Sequence, residues 1–320
     1  NYANTFGKHD VAAMVVFEQA SNGGEEVSAK GESPLTNLDQ MFNYSSDALR
    51  RWGEAKEKTG GRLSWIGRFN YTFDQKYIAE FSFRYDGNTL FPEGKRWGFF
   101  PSVSAAWRIS QESFMESTSD WLSNLKLRAS YGTTGNDLDL SKDPIDKITA
   151  FSYLQKYNTG GTYIFGSNLA NTITAGATPN PTLTWATSTT YNGGLDFGFF
   201  NNRLSGTFDA FYRKEVDILG PRTVTLPNTY GQSLAPENYA ERSWRGGELS
   251  LTWMDKAANG AIDYSAYVNL GFARDKWDVL DVSATYQEGG NLHALSPVGK
   301  ADGILIGLIA DHLLTDQAEV

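Results

Sequence analysis

The strongest constraint on the fold is a two-residue alternation of apolar and polar side chains that recurs along most of the chain. It is clearest at residues 62–73, where Trp65 and Phe69 fall on one side of an extended strand and Arg68 falls on the other. After a short turn at residues 74–75, the alternation resumes in the next segment. The pattern predicts two strands joined as an antiparallel hairpin.

Equivalent segments predict about nine strands in the chain, most of them near the roughly 9 to 11 residues that a tilted transmembrane strand requires. These segments are residues 11–18, 62–73, 77–86, 102–110, 125–131, 185–199, 204–212, 247–253 and 262–272.

The connections between these segments alternate between long and short. The long ones are residues 20–61, 87–97, 132–184 and 213–245, and the shorter ones are residues 74–75, 111–124, 201–202 and 254–261. Outer-membrane barrels join their strands by short turns on the periplasmic rim and by long loops on the other rim. A soluble sandwich has no reason to constrain every second loop, so the alternation favours an antiparallel transmembrane β-barrel.

Aromatic residues make up 14% of the chain and cluster near the ends of the predicted strands. Amphipathic rings prefer the two membrane interfaces, which predicts two aromatic girdles. One comprises Tyr71, Phe73, Tyr77, Phe197, Phe199 and Trp253 near short turns, and the other comprises Trp65, Tyr85, Tyr131, Trp185 and Tyr212 near long loops. The alternation alone also fits a soluble β-sandwich with these rings in its core.

Charged side chains in strand interiors fall on the same side as serine, threonine and asparagine. An arginine facing lipid near the middle of a bilayer costs about 2 to 4 kcal/mol, whereas one facing a wet or protein-filled lumen is solvated or paired. The alternation therefore predicts the following lumen-facing residues: Arg68, Glu80, Arg84, Arg108 and Arg128.

Composition excludes several other classes of protein. The chain has no cysteine, so a disulfide framework and a thiolate metal site are excluded. A net charge of -9 without a basic stripe argues against nucleic acid as a partner. No stretch approaches the roughly 18 apolar residues of a membrane-spanning helix, the nearest being residues 304–310. Because the chain begins at Asn1 without a leader, we expect any signal peptide to be removed or to lie outside this sequence.

Chemistry-bearing motifs are weak. The three histidines are not spaced as zinc ligands, and we find no nucleophile elbow, phosphate loop or dinucleotide fingerprint, so we predict neither an enzyme nor a cofactor. The acidic stretch 137–143 has the alternation of a calcium loop. However, Lys142 replaces the turn glycine and Ile148 replaces the bidentate glutamate, so the stretch favours a solvated loop.

A series of motifs in order resembles the barrel of SusC/RagA-type TonB-linked outer-membrane proteins of Bacteroidetes. The series covers roughly residues 2–272 and is more specific than any single motif. Its main members are Arg68-Phe69-Asn70-Tyr71, Phe83-Arg84-Tyr85-Asp86-Gly87, Phe100-Pro101-Ser102-Val103-Ser104-Ala105-Ala106-Trp107-Arg108, Leu125-Lys126-Leu127-Arg128-Ala129-Ser130-Tyr131-Gly132, Asn202-Arg203-Leu204 and Gly246-Gly247-Glu248-Leu249. One departure is Ala186, where the family commonly has glutamate after the tryptophan.

The resemblance implies a 22-stranded barrel with an amino-terminal extension, a TonB box and a plug domain, none of which we identify in this chain. Nine consecutive strands cannot close a barrel, and open edges in lipid are costly. We therefore expect residues 1–320 to form part of the barrel of a longer protein in the outer membrane of a Gram-negative cell.

The resemblance also implies a function. A SusD-like lipoprotein lid would capture an oligosaccharide or peptide, and the TonB–ExbB–ExbD complex would act through the plug to bring it into the lumen. Loop aromatics offered as contacts for ligand or lid are Tyr153, Tyr157, Tyr163 and Phe165, although packing of loops against each other is the more common role for any one of them. Two other functions stay open, namely a soluble or surface carbohydrate-binding module and a siderophore or vitamin receptor that works without a lid.

Overall fold

A computed structural model describes residues 1–31, 51–139, 146–148, 151–166, 168–223, 227–257, 261–283, 286–287, 290 and 293–302. Its strands are β1 (Tyr2–Phe6), β2 (His9–Gly31), β3 (Arg51–Phe73), β4 (Tyr77–Asn88), β5 (Trp97–Arg108), β6 (Leu122–Asn136), β7 (Leu138–Asp139), β8 (Asp146–Lys147), β9 (Tyr157–Phe165), β10 (Asn168–Ala175), β11 (Ala186–Phe199), β12 (Leu204–Gly220), β13 (Glu237–Ala257) and β14 (Ile262–Val279). The helices are short 3-10 turns at Glu93–Lys95, Ile109–Gln111, Ser113–Thr118, Asn228–Tyr230 and His293–Leu295. In the part of the chain that the structure describes, none of these helices has the length and apolar character needed to cross a membrane.

The long strands form one antiparallel sheet in which nearly every strand pairs with its neighbours in the chain. The order is β1-β2-β3-β4-β5-β6-β11-β12-β13-β14. Strands β9 and β10 form a separate hairpin, and the short strand β7 pairs with β12 and β8. The nine strands predicted from the alternation are all present in this sheet. The sequence pattern missed β1, the β9–β10 hairpin and the short pair β7–β8.

The register of the sheet separates two faces. Residues directly opposite each other in an antiparallel ladder point to the same face. One such row consists of Phe69, Phe81, Val103, Tyr131, Tyr191 and Tyr212, most of which are exposed. The adjacent row consists of Asn70, Glu80, Ser104, Ser130 and Asn192. We refer to these as the apolar face and the polar face.

The exposed aromatics decide against the sandwich alternative. In a sandwich, the apolar face would be covered by a second sheet. Instead, Trp65 is 46% exposed and Phe81 is 42% exposed, and no second sheet covers the apolar face within the described ranges.

Tight turns with left-handed residues close one rim of the sheet. Asp74 and Gln75 join β3 to β4 with φ of 50° and 56°, and Phe200, Asn201 and Asn202 join β11 to β12 in the same conformation. Asparagine and aspartate tolerate this region better than most residues. We call this edge the short rim and the opposite edge the long rim.

The lengths of the connections do not alternate as strictly as the sequence analysis predicts. Connection 89–96 lies on the long rim, yet it is shorter than connection 109–121 on the short rim, which contains two 3-10 turns. Several strands also extend beyond their predicted ends at the long rim. Strand β13 begins at Glu237, and β2 continues to Gly31 through a polar, glycine-containing stretch that has no alternation to reveal it.

The main dry core lies at the long rim and not between layers of sheet. Phe91, Phe100, Ile148, Leu183, Trp185 and Leu219 are buried together, with Leu90 and Tyr153 packed against them. The indole Nε1 of Trp185 donates a hydrogen bond to the carbonyl of Arg96 at 3.2 Å. The prediction of Trp185 as a girdle residue is therefore wrong, because this side chain holds connections of the long rim together.

Candidate functional site on the polar face

Arg68 and Glu80 form an ion pair across the β3–β4 hairpin. Arg68 Nη2 lies 2.6 Å from Glu80 Oε2, and the two side chains are 52% and 27% exposed. The polar face therefore presents this charge pair to its surroundings without burying it.

Arg84 ties three strands together on the same face. Its guanidinium contacts Asp86 at 2.7 Å on its own strand and Glu18 at 3.1 Å on β2. It also donates to the hydroxyl of Ser64 on β3 at 3.0 Å, and Ser64 itself is fully buried. Since hydrogen bonds to charged groups are stronger than neutral ones, this cluster fixes the register of β2, β3 and β4.

Arg128 is the centre of a third group of charges on the face. Its guanidinium lies 2.8 Å from Asp196 on β11 and 3.0 Å from Asp209 on β12. Lys126 adds a second contact to Asp196 at 3.3 Å. Gly194 stands directly between Arg128 and Asp209 in the register, and a side chain there would come within 2.7 Å of the Arg128 guanidinium carbon.

The structure places Arg108 away from the other predicted lumen residues. It ends β5 at the short rim, where its Nη1 donates to the carbonyl of Gln75 at 3.2 Å. Its role in the structure is to hold the β3–β4 turn.

Next to Arg108, at the short rim, the carboxylate of Glu112 is contacted by three side chains. Glu112 accepts hydrogen bonds from the hydroxyl of Tyr77 at 2.6 Å and the indole of Trp107 at 3.0 Å, and Lys76 lies 3.3 Å away. These hydrogen bonds, that from Tyr77 first, lower the pKa of Glu112 below its ordinary value. The cluster anchors the connection 109–121 to the hairpin.

Near the long rim, arginine and tryptophan alternate across β12, β13 and β14. The guanidinium of Arg213 lies 4.9 Å from the ring centre of Trp244, and that of Arg242 lies 5.0 Å from Trp244 and 4.8 Å from Trp277. Arg242 is also paired with Asp275. Sequence reasoning missed this stack, although the same alternation that marked Arg128 would have placed Arg213 and Trp244 opposite each other once the register was known.

The four loop aromatics separate into two groups. Tyr153 packs against the dry core of the long rim, as the packing explanation expected. Tyr157, Tyr163 and Phe165 lie on the β9–β10 hairpin and are 66%, 62% and 75% exposed, respectively. Tyr163 and Phe165 point to the same side, with ring centres 6.0 Å apart.

The described residues include no group of three or more histidine, aspartate or glutamate side chains arranged to hold a metal ion. In the acidic stretch 137–143, Asp137 forms an ion pair with Arg62 at 3.6 Å. Residues 140–143 of this stretch lie outside the described residues. The chemistry offered by the polar face is thus ionic and hydrogen-bonding contact.

Comparison with known proteins identifies the family. Residues 22–301 match the TonB dependent receptor-like, beta-barrel family, which is most of the chain. The chain belongs to the TonB-dependent receptor β-barrel family. It is therefore a segment of an outer-membrane barrel, and the match agrees with the predicted resemblance and fold class.

Individual relatives of this TonB-dependent receptor segment support the same assignment. It is 32% identical over 255 residues to TonB-dependent receptor SusC of Bacteroides thetaiotaomicron, covering 78% of this chain and 24% of that protein. It is 33% identical over 260 residues to TonB-dependent receptor P26 of Formosa agariphila, again covering 78% and 24%. The chain therefore spans about a quarter of the length of these relatives.

A solved structure agrees with the fold. The RagAB peptide importer in its open-open state superposes with a TM-score of 0.73 at 28% identity, covering 88% of this chain and 29% of that one. The matched family consists of receptors and transporters.

Proposed function

We propose that this chain forms part of the wall of a TonB-dependent importer that brings a nutrient across the outer membrane. The observation that carries the proposal is the division of one sheet into an apolar face and a face of paired charges. A barrel wall with charges on one side needs a wet or protein-filled interior on that side. We assign all of residues 1–320 to the barrel domain and the polar face, with Arg68, Glu80, Arg84 and Arg128, to the lumen.

The nutrient in this proposal is an oligosaccharide or a peptide. The likeness to a peptide importer supports the peptide, and the resemblance to the SusC type supports either class. Paired arginines and carboxylates suit both ligands, because they donate and accept hydrogen bonds without presenting one uncompensated charge. The wall and lumen in this proposal only conduct the ligand, so we expect no hydrolytic turnover by this protein.

The long rim faces the cell exterior in this proposal, because outer-membrane barrels keep their short turns in the periplasm. A SusD-like surface lipoprotein would close over that rim, and the TonB–ExbB–ExbD complex would supply energy through a plug domain. The exposed β9–β10 hairpin is the part of the described rim best suited to touch the lid. Its aromatic rings offer contact area at low entropy cost.

Uptake by cells tests the import function. Cells that carry the full-length receptor and its lipoprotein should accumulate labelled oligosaccharides or labelled peptides of one class, and cells lacking the receptor should not. Loss of accumulation on removing TonB is also expected. Equal accumulation with and without the receptor across both panels, or hydrolysis of the ligand by the purified complex, would contradict the proposal.

A copurification experiment tests the lid contact. The double change Tyr163→Ser and Phe165→Ser should reduce the amount of lipoprotein that copurifies with the receptor. Phe114→Ser is a matched control, because Phe114 is an aromatic residue of similar exposure, 64%, on the short rim. An equal effect of both changes, or no effect of the double change, would contradict a lid contact at this hairpin.

A further inference from the structure

Two arginines face each other on the apolar side of the sheet where β13 and β14 approach the long rim. Arg245 is directly opposite Arg274 in the register, and Tyr212 of β12 is directly opposite Arg245. These three residues continue the row of the apolar face that runs from Phe69 through Tyr191. The two guanidinium groups therefore point outward, away from the polar face.

The depth of this pair matches the edge of the hydrocarbon layer. Arg245 precedes Trp253, which lies near the short rim, by eight positions in the sequence. This is about 27 Å along a strand and about 20 Å along the membrane normal at the usual tilt of about 40°. The outward residues in between are Leu251, Leu249 and Gly247, so Arg245 is the first outward charge of β13 counted from Trp253, and it lies near the far edge of an apolar band about 25 Å tall.

Two like charges opposite each other in a ladder are destabilising unless something neutralises them. Among the described residues, neither Arg245 nor Arg274 has a carboxylate within ion-pair distance, and the one contact of Arg274 is with the ring of Phe272 at 5.7 Å. The neighbouring lysines are already occupied. Lys276 pairs with Asp278 at 2.9 Å, and Lys214 pairs with Glu241 at 2.7 Å.

A cavity of about 610 Å³ lies over the two arginines. Its walls include Tyr212, Lys276 and, from the segment beside β14, Lys300. The acidic groups at its margin are Asp275 and Asp278, which are held by Arg242 and Lys276. The cations of this lining that form no ion pair among the described residues are thus Arg245, Arg274 and Lys300, and the space is large enough for a phosphate group with part of a sugar.

The surface below the cavity is apolar. Phe272, Leu270 and Val268 point outward along β14, directly opposite Gly247, Leu249 and Leu251 of β13. An anion without a hydrocarbon portion would leave these side chains uncovered, whereas an amphiphile would cover them and neutralise the arginines together.

We propose that Arg245 and Arg274 bind the phosphate of a phosphorylated lipid of the outer leaflet, with its acyl chains along Phe272, Leu270 and Val268. The proposal depends on the orientation of the barrel in the membrane and not on which nutrient is imported. Arginine suits this ligand, because its planar guanidinium binds phosphate through two parallel hydrogen bonds. The bound lipid would be a structural partner of the wall.

The test measures lipid retained by the full-length receptor purified from its own outer membrane in mild detergent. Native mass spectrometry should find phosphorylated lipid A on the wild type and about tenfold less on the double variant Arg245→Gln/Arg274→Gln. The variant Arg245→Lys/Arg274→Lys should keep an intermediate amount of lipid, since it keeps both charges but loses the paired hydrogen bonds of the guanidinium. Lys256→Gln, on β13 at the opposite rim, is the matched control and should retain lipid as the wild type does.

A second arm separates a lipid from a free anion. Delipidated wild-type receptor should gain thermal stability with phosphorylated lipid A, but not with dephosphorylated lipid A or with inorganic phosphate alone. Protection by inorganic phosphate equal to that by the lipid would overturn the proposal, as would equal protection by both forms of lipid A. Equal retention of lipid by the wild type and the glutamine double variant would overturn it as well.

Discussion

At the scale of single residues, the stability of the polar face depends on which cation each carboxylate is paired with. Arg128 serves two aspartates on two strands because Gly194 leaves its guanidinium room between them. Asp196 has a second cation in Lys126, whereas the ion pairs of the described residues give Asp209 only Arg128. The two aspartates should therefore respond differently to loss of the arginine.

We predict that Arg128→Ala lowers the free energy of unfolding by about 1 to 2 kcal/mol, because it removes two charge-assisted hydrogen bonds from a partly exposed site. Asp209→Asn should recover more of this loss than Asp196→Asn, since Asp196 keeps Lys126. Guanidinium unfolding of the purified receptor in detergent measures all the variants. Equal recovery by the two asparagine changes would show that Lys126 does not compensate Asp196.

We predict a pH-dependent effect at Glu112. Its hydrogen bonds from Tyr77 and Trp107 lower its pKa in the folded state, so its contribution to stability is complete above the ordinary value of about 4.5. The contribution is lost as the pH falls below that value through the lowered pKa. Glu112→Gln should therefore lower the Tm at pH 7, and the difference from the wild type should shrink as the pH falls below about 4.5. A difference that stays constant between pH 7 and pH 3 would contradict this account.

The sequence predicted which residues share a face but not which residues meet. Alternation placed Arg84 and Arg128 on the polar side correctly, because it needs only the parity of a residue within its strand. The partners of Arg128 lie 68 and 81 residues away, beyond a long connection, so their identity depends on a register that parity cannot give. Parity has a second limit at Arg108, because it cannot show that β5 ends at this residue.

At the scale of elements, the core of the long rim depends on one aromatic ring, Phe100, that packs directly against two glycines. Phe100 of β5 is buried, and its ring occupies the space where side chains at Gly98 and Gly135 would lie. A Cβ at Gly135 would come within 2.2 Å of the Phe100 Cζ. The packing of β5 against β6 at this rim therefore requires glycine, which has no side chain, at positions 98 and 135.

We predict that Gly135→Ala destabilises the receptor by about 1 to 3 kcal/mol, because Phe100 is enclosed and cannot move aside freely. Gly193→Ala on β11 is the matched control, since no atom lies within 4 Å of its added Cβ. Thermal unfolding followed by tryptophan fluorescence compares the two. A similar Tm for both variants would mean that the core of the long rim adapts to the added methyl group.

Elements without a two-residue pattern could not be predicted from sequence. Strand β1 has only five residues, and β9 contains the adjacent glycines Gly160 and Gly161, which normally indicate a turn. The β9–β10 pairing is irregular near these glycines, with a register shift between Thr172 and Ile173. Strands β9 and β10 form by backbone pairing within a connection of the long rim, and this pairing places no requirement on the side chains.

At the scale of the whole molecule, the wall and the hairpin of the long rim are separable. The amide of Gly176 donates to the carbonyl of Lys156 at 2.8 Å, so the two ends of the β9–β10 hairpin are adjacent. The long strands do not depend on this hairpin for pairing, because it forms its own sheet.

We predict that replacing residues 157–175 with two glycines leaves the barrel assembled and reduces nutrient uptake. Heat-modifiable migration on a detergent gel should match the wild type, because an intact barrel resists unfolding by the detergent until it is heated. Uptake and lipoprotein copurification should both decrease. A variant that no longer shows the heat-dependent shift would mean that the hairpin is needed for the wall itself.

The asymmetry between the two rims also determines what must be translocated when the barrel is assembled. Each hairpin closed by a tight turn can enter the bilayer from the periplasm, but the polypeptide between β6 and β11 has to pass through the hydrocarbon layer to reach the outside. This segment carries polar backbone and acidic side chains, so its passage through the hydrocarbon layer is costly. Insertion of β11 after β6 should therefore be the slow step of biogenesis, and the step most dependent on the assembly machinery.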